Sequence, residues 1–134
     1  MNDWQKAITL TCLEGSENNT MTFPEIVGTL MDAGFEGYAI DYRRATATYY
    51  LPSGESIELA AQPVSTPVAP TFDTASMQAA IKEAQQHVPG YTYKGFSEKA
   101  VLAGCASYIV SFSGRRALYI GRNAETHVER FPDQ

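Results

Sequence analysis

A proline-rich segment near the middle of the chain constrains the fold more than any other feature of the sequence. Residues 61–73 read AQPVSTPVAPTFD, with three prolines among small residues. Proline has no backbone N–H, so this stretch cannot continue a strand ladder and is predicted to be a surface loop or linker. The order of elements on each side of it therefore decides the fold class.

Two helical patterns precede the proline-rich segment. Asp3 is the expected N-cap of a first helix over residues 4–13. Thr22 and Glu25 form a capping box that predicts a second helix, and Gly34 is well placed for its left-handed C-terminal cap. The first half of the chain therefore begins with two consecutive helices.

Two further helical patterns follow the proline-rich segment. A third helix is expected to begin after Asp73 or Thr74 and to stop at Pro89 and Gly90. A short fourth helix is expected to open at Ser97 and to run toward Cys105. The second half therefore repeats the helical order of the first.

Each pair of helices is followed by segments with the two-residue alternation of strands. The expected strands are residues 38–42, 46–51, 56–59, 108–112, 117–120 and 126–131. Because strands are grouped rather than alternating with helices, the chain is predicted to be one α+β domain over residues 1–134. Its antiparallel sheet would combine a β meander with a C-terminal hairpin, and about four helices would pack mainly on one side. The two halves share this order, but no residue-level repeat is evident in the sequence.

Composition excludes several classes of function. Fifteen acidic and ten basic residues give a net charge of −5, which disfavours nucleic acid as a partner. The chain lacks the roughly 20 consecutive apolar residues of a membrane span and a secretory leader at its start, so no membrane and a cytoplasmic location are expected. Neither GxGxxG nor GxxxxGK[ST] occurs, and no cofactor is predicted.

Two stretches resemble a family of small bacterial and prophage-borne proteins of unknown function. They are TFPEIVGTLMDAGFEGYAIDYRRATATYYLPSGE, residues 22–55, and KAVLAGCASYIVSFSGRRALYIGRNAETHVERFP, residues 99–132. Some members of that family are labelled "phage envelope protein". The resemblance implies a stand-alone α+β domain and transfers no catalytic residue.

The sharpest catalytic hypothesis pairs Cys105 with His127. A cysteine nucleophile needs an adjacent base and a group that orients the base, here Asn123, Glu125 or Glu129. The alternative is an inert Cys105, because it lies among small residues and free cysteine is among the most buried residue types. His127 and Glu129 also have the spacing of two metal ligands, but too few further ligands are evident and no metal site is predicted.

A cluster of arginines and one tyrosine near the predicted C-terminal hairpin is the candidate binding site. Its members are Arg115, Arg116, Tyr119, Arg122 and Arg130. Guanidinium groups beside aromatic rings can hold a carboxylate, a phosphate or an acidic peptide. The alternative is a solvated hairpin edge whose charges prevent aggregation.

These observations favour a non-enzymatic binding or interaction module for a small acidic ligand or a partner protein. The alternative is a cysteine-dependent hydrolase or transferase that uses Cys105 and His127. Tyr91 and Tyr93, just after the third helix, are expected to line a cleft. An exposed strand edge would also permit a homodimer.

Overall fold

The computed structural model describes residues 1–131 and contains, in that range, four helices and one six-stranded sheet. The elements are α1 (Asp3–Glu17), α2 (Phe23–Asp32), β1 (Gly37–Asp41), β2 (Thr46–Tyr50), β3 (Ser56–Ala60), α3 (Thr74–Gln86), α4 (Tyr93–Leu102), β4 (Cys105–Ser111), β5 (Arg116–Gly121) and β6 (Thr126–Arg130). The sheet order is β3-β2-β1-β4-β5-β6, and every neighbouring pair is antiparallel. The predicted α+β fold class is confirmed.

The helix starts follow from side chains that cap them, and two of the predicted starts are wrong. Asn2, not Asp3, caps α1, because its side chain and that of Gln5 form a reciprocal capping box. The helix then runs to Glu17, beyond the predicted end. The fourth helix begins at Tyr93 rather than at Ser97, because Thr92 is its N-cap.

The second and third helices begin where the sequence predicts. Thr22 accepts a hydrogen bond from the backbone of Glu25 and completes the predicted capping box of α2. Asp73 caps α3 by accepting the backbone N–H of Ser76 at 3.1 Å. Short polar side chains at the right spacing therefore suffice to define these two helices.

Glycines with a left-handed backbone separate each helix pair from the first strand after it. Gly34 has φ 95° after α2, and Gly104 has φ 93° after α4. Cys105 consequently opens β4 instead of ending a helix, which corrects the sequence-based expectation. A side chain at this point would be strained, since only glycine adopts such a φ without cost.

The segments from α2 to β3 and from α4 to β6 share one backbone pattern at a spacing of 70 residues, a repeat that is not evident in the sequence alone. Helix α2 spans residues 23–32 and α4 spans residues 93–102. The pairings within β1-β2-β3 recur in β4-β5-β6 at the same spacing, as when Tyr38↔Tyr49 becomes Tyr108↔Tyr119. Few side chains are identical between the halves, so the repeat is clearer in the backbone structure than in the amino-acid sequence.

The halves meet along β1 and β4, about a pseudo-two-fold axis. Ala39 pairs with Ile109, its own counterpart in the repeat. The hydrogen bond from Tyr42 N to Ala106 O has its counterpart in the bond from Phe112 N to Glu36 O. A residue that faces its own equivalent is the signature of an isologous two-fold contact, here within one chain.

One face of the sheet forms the core. Its buried residues include Tyr38, Ile40, Ala47, Tyr49, Tyr108, Val110, Ala117 and Tyr119. The helices bring further fully buried side chains such as Leu30 and Met77 into the same cluster. On the opposite face Ile109 and Val128 are exposed. The sheet therefore has the one-sided burial expected of an antiparallel sheet in an α+β domain.

The proline-rich segment is bound to the surface of the second half. Ala69 N donates to Val101 O at 2.9 Å, and Asp73 N donates to Ala103 O at 2.7 Å. Val68 is buried against Val101. Residues 61–73 are thus an extended strap, held by backbone hydrogen bonds and apolar contacts rather than free in solvent. No helix within residues 1–131 has the length and apolar character needed to cross a bilayer.

Candidate functional site

A cavity of about 390 Å³ opens between the two halves of the molecule. The first half contributes the end of α1, the end of β1 and the chain just after β3, and the second half contributes the first turns of α4. Leu13, Ile40 and Ala61 supply apolar wall. This volume lies within the usual range for small-molecule sites.

A cluster of hydroxyl groups lies at the inner end of the cavity. The phenol oxygens of Tyr93 and Tyr108 are 2.7 Å apart, and the Tyr42 hydroxyl donates to Ser97 Oγ at 3.3 Å. Burial raises the pKa of Tyr93 and of Tyr42 above the usual value of a phenol. These groups are therefore neutral near pH 7 and can both donate and accept hydrogen bonds.

The outer part of the cavity carries charge of both signs. Glu17, at the end of α1, accepts the backbone N–H of Gln62 at 2.7 Å and so attaches the start of the strap to this helix. Lys94 and Glu98 lie one turn apart on α4. The entrance is therefore polar while the wall is mainly apolar, an arrangement typical of sites that orient a small ligand.

The corresponding place in the other half is filled by aromatic side chains. In the repeat, Phe131 is the counterpart of Ala61, and Phe23 is the counterpart of Tyr93. The rings of Phe23 and Phe131 pack edge to face with centroids 5.7 Å apart. The repeat therefore offers two equivalent positions, and the chain fills one with phenylalanine while leaving the other open and lined with hydroxyls.

The structure does not bring Cys105 and His127 together. Cys105 is on β4 and His127 is on β6, with β5 between the two strands. That arrangement separates the strands by about 10 Å, twice the usual spacing. Cys105 is fully buried, its Sγ donates to Ser107 O at 3.3 Å, and burial raises its pKa to about 12. A nucleophilic thiol needs exposure and a lowered pKa, so both properties count against the cysteine hypothesis.

His127 instead belongs to a small polar cluster on the inner face of β6. Its Nε2 lies 3.2 Å from Glu129 Oε2, and Gln85 Nε2 donates to Glu129 Oε1 at 3.2 Å. The imidazole also stacks on Tyr119, with ring centroids 6.4 Å apart. Within residues 1–131 no group of three or more His, Cys, Asp or Glu side chains is arranged to hold a metal ion.

The five residues of the predicted binding cluster do not share one surface. Arg116 and Arg130 are cross-strand partners on the outer face of the sheet. Arg115 lies in the β4–β5 turn, whereas Arg122 lies beyond the opposite end of β5 and donates to Val68 O at 3.3 Å. Tyr119 is buried on the inner face.

Sequence patterns missed most of the cavity and identified one of its residues. Tyr93 lines the cavity, as its position after the third helix suggested, while Tyr91 lies by the α3–α4 connection. Ser97 and Ala61 carry no local signal of a site. Comparing equivalent positions of the repeat does give a signal, because it pairs Ala61 with a phenylalanine at the position where the cavity opens.

No protein-family model matches the chain, and no curated protein matches it either. The resemblance to the phage-borne family therefore stays a prediction from the sequence.

Proposed function

We propose that this protein is a non-enzymatic binding module that holds a small ligand in the cavity between its two halves. The observation that carries the proposal is the difference between the two equivalent positions of the repeat. One contains Phe23 against Phe131, and the other has Tyr93 beside Ala61 and stays open. Cavities reduce stability by the contacts they lose, so an open one at a place the fold can fill favours a ligand-binding role.

The lining indicates the chemistry of the ligand. Leu13, Ile40 and Ala61 favour an apolar or aromatic body. The hydroxyls of Tyr42 and Tyr93 favour at least one hydrogen-bonding group at its inner end. The ligand is therefore a compact, mainly apolar molecule with a polar group, and it is bound without a covalent step.

The test is Ala61→Phe, which copies the filled half into the open half. Small aromatic alcohols, amines and acids are screened against the native protein by ligand-observed NMR. Compounds that bind are expected to lose roughly tenfold or more in affinity on Ala61→Phe, because the ring occupies their volume. Ala60→Phe is the matched control, since Ala60 is the neighbouring residue and is exposed.

Two outcomes of this screen would contradict the proposal. One is binding that survives Ala61→Phe unchanged, and the other is a screen in which the native protein binds nothing. Tyr93→Phe sharpens a positive result, because it removes the hydroxyl while leaving the cavity wall. We expect Tyr93→Phe to lower the affinity for polar ligands more than the affinity for purely apolar ligands of equal size.

The paired arginines on the outer face support a second candidate, an acidic ligand. Arg116 and Arg130 lie directly opposite each other, and like charges at such positions destabilise a sheet. An anion between the two guanidinium groups would relieve that repulsion. Raised thermal stability in inorganic phosphate, lost on Arg130→Ala, would favour this candidate, whereas equal stability in phosphate and in chloride of the same ionic strength would reject it.

The cysteine mechanism is tested by thiol alkylation of the folded protein. Cys12 and Cys105 are both buried, and burial raises their pKa to about 11 and about 12. Both thiols are therefore expected to react only when the protein unfolds. Fast alkylation of Cys105 near neutral pH, slowed by His127→Ala, would restore the enzymatic alternative.

A further inference from the structure

Helix α2 carries an apolar stripe that the described part of the chain covers only at one end, where Phe131 packs against Phe23. Phe23, Val27 and Met31 recur every four residues and so lie on one side of the helix. Phe23 is 43% exposed and Met31 is 52% exposed, whereas Val27 is half-buried. Exposed apolar side chains in a contiguous row indicate an interaction surface more strongly than scattered ones do.

On α4 the strap covers the last residue of the equivalent stripe. Its residues are Tyr93, Ser97 and Val101, which are the counterparts of the three α2 residues in the repeat. Val101 is 1% exposed, because Val68 packs on it and Ala69 N donates to its carbonyl oxygen. The chain thus shows what kind of segment fits this side of the helix: an extended one, rich in valine and proline.

The covering segment follows a path that the first half leaves partly open. In the second half, Asp73 N donates to Ala103 O at the far end of the path. In the first half, Gln5 Nε2 from α1 donates to Ala33 O at 2.9 Å and takes that place. Over Met31 itself, no described segment makes a bond corresponding to that of Ala69.

The surroundings of the glycines that follow α2 and α4 differ in the same way. A Cβ built on Gly104 would lie 2.8 Å from Cα of Phe72, in the strap, whereas one built on Gly34 would meet only Gln5 Nε2 at 3.6 Å. Gly104 is buried and Gly34 is exposed. The backbone is therefore alike in the two halves, and among residues 1–131 the covering strand is present in only one.

We propose that the α2 stripe docks an extended, valine- and proline-containing segment of a partner protein, in the manner in which the strap docks on α4. Proline favours an extended conformation in the free segment and so lowers the entropy lost on docking. The partner is expected to differ from the strap at one point. Where Val68 packs on Ala106, the first half has the exposed Glu36, so a basic residue fits there.

The test uses a synthetic peptide with the sequence of residues 62–72 and the change Val68→Lys, labelled for fluorescence polarisation. We expect saturable binding to the full chain at micromolar to millimolar concentration, since the contact area is small. Met31→Glu is expected to weaken it roughly tenfold or more, because it places a charge in the docked interface. Leu102→Glu is the control for an added charge, since Leu102 is an exposed apolar residue of α4 that lies outside the α2 stripe.

Three outcomes would overturn the proposal. They are absence of binding at millimolar peptide, binding that Met31→Glu leaves unchanged, and binding that the control peptide with Val68→Glu matches in affinity. A concentration-dependent dimer that Met31→Glu abolishes would instead assign the stripe to a second copy of this chain. Binding by the Ala61→Phe protein separates this surface from the cavity, because that change leaves α2 untouched.

Discussion

The two halves of the molecule have one backbone and two different interiors. Each runs through two helices and a three-stranded meander, and the strand register of the first half recurs in the second. The first half fills its aromatic position with Phe23 and Phe131, while the second keeps Tyr93 and a cavity at the equivalent place. Backbone geometry therefore follows from capping, glycine placement and alternation, whereas the cavity follows from the particular side chains that each half places at equivalent positions.

The edge strands show the same contrast. On the inner face β3 presents Ile57 and Leu59, both partly buried against the core. At the equivalent points β6 presents His127 and Glu129, which bond to each other and, through Glu129, to Gln85. A polar pair is tolerated here because His127 Nε2 and both carboxylate oxygens of Glu129 have partners, and no buried side-chain N or O atom of the described residues lacks one.

Alkaline pH should produce the largest change, loss of the whole fold. Burial raises the pKa of Tyr38 and Tyr49 in one half and of Tyr108 and Tyr119 in the other above the usual value of 10.0. The unfolded chain then binds fewer protons than the folded one above about pH 10, so stability falls as pH rises through that value.

The alkaline transition also tests whether the halves are one cooperative unit. We expect tyrosinate absorbance and far-ultraviolet circular dichroism to change together in a single transition, because phenols of both halves share one core. Two separated transitions would show that the halves unfold independently across the β1–β4 seam.

Replacing the paired glycines should give the next largest effect. Gly34→Ala is expected to cost about 1–2 kcal/mol, the strain of a left-handed alanine. Gly104→Ala carries the same strain, and its Cβ also meets the backbone of Thr71 and Phe72, so we expect a loss of about 3 kcal/mol or more. Urea denaturation of the two variants measures the difference. Equal losses would mean that the strap is not packed on Gly104 in solution.

Converting the polar edge pair into its apolar counterpart should have a smaller effect. Glu129→Leu alone leaves His127 without its acid and is expected to cost about 1 kcal/mol. Adding His127→Ile should recover most of that loss, because the pair then matches Ile57 and Leu59 of the first half. A double-mutant cycle by thermal denaturation checks this coupling. A strictly additive result would show that the hydrogen bond between them contributes nothing.

The smallest difference in stability is expected when the hydroxyl group is removed from one or the other of two equivalent tyrosines, Tyr38 and Tyr108. The Tyr108 hydroxyl lies 2.7 Å from that of Tyr93, whereas the first half has Phe23 at the position of Tyr93. Tyr108→Phe should therefore lower the free energy of unfolding by about 1 kcal/mol, and Tyr38→Phe by less than about 0.5 kcal/mol. Reversal of this order in chemical denaturation would contradict the role given to the buried hydroxyl cluster.

Local sequence signals account for most of the fold. Thr22 with Glu25 and Asp73 locate two helices, because capping needs only residues a few positions apart. The start of α4 could not be predicted in this way, because Pro89, Gly90 and Gly95 give the sequence around Thr92 the composition of a loop.

The candidate site could not be predicted in the same way. Tyr42 and Ser97 are far apart in the chain and meet only because β1 pairs with β4 and α4 packs beside them. Strand order has no local sequence signal, so neither the cavity nor the separation of Cys105 from His127 follows from the sequence alone. The arginines of the C-terminal hairpin are close together in the sequence, which led to their being predicted as one cluster. Successive residues of a strand point to opposite faces of the sheet, and residues at its two ends lie far apart, so these arginines do not share one surface.

The meeting of Ala39 with its own counterpart Ile109 has a consequence for how such a protein can change. In a symmetric dimer of identical chains, every substitution appears at both equivalent places, so closing one cavity closes the other. A single chain with the same geometry does not have that constraint, because its two halves are encoded separately. Each half can acquire its own substitutions, which allows Phe131 to pack against Phe23 on one side while Ala61 leaves a cavity open on the other.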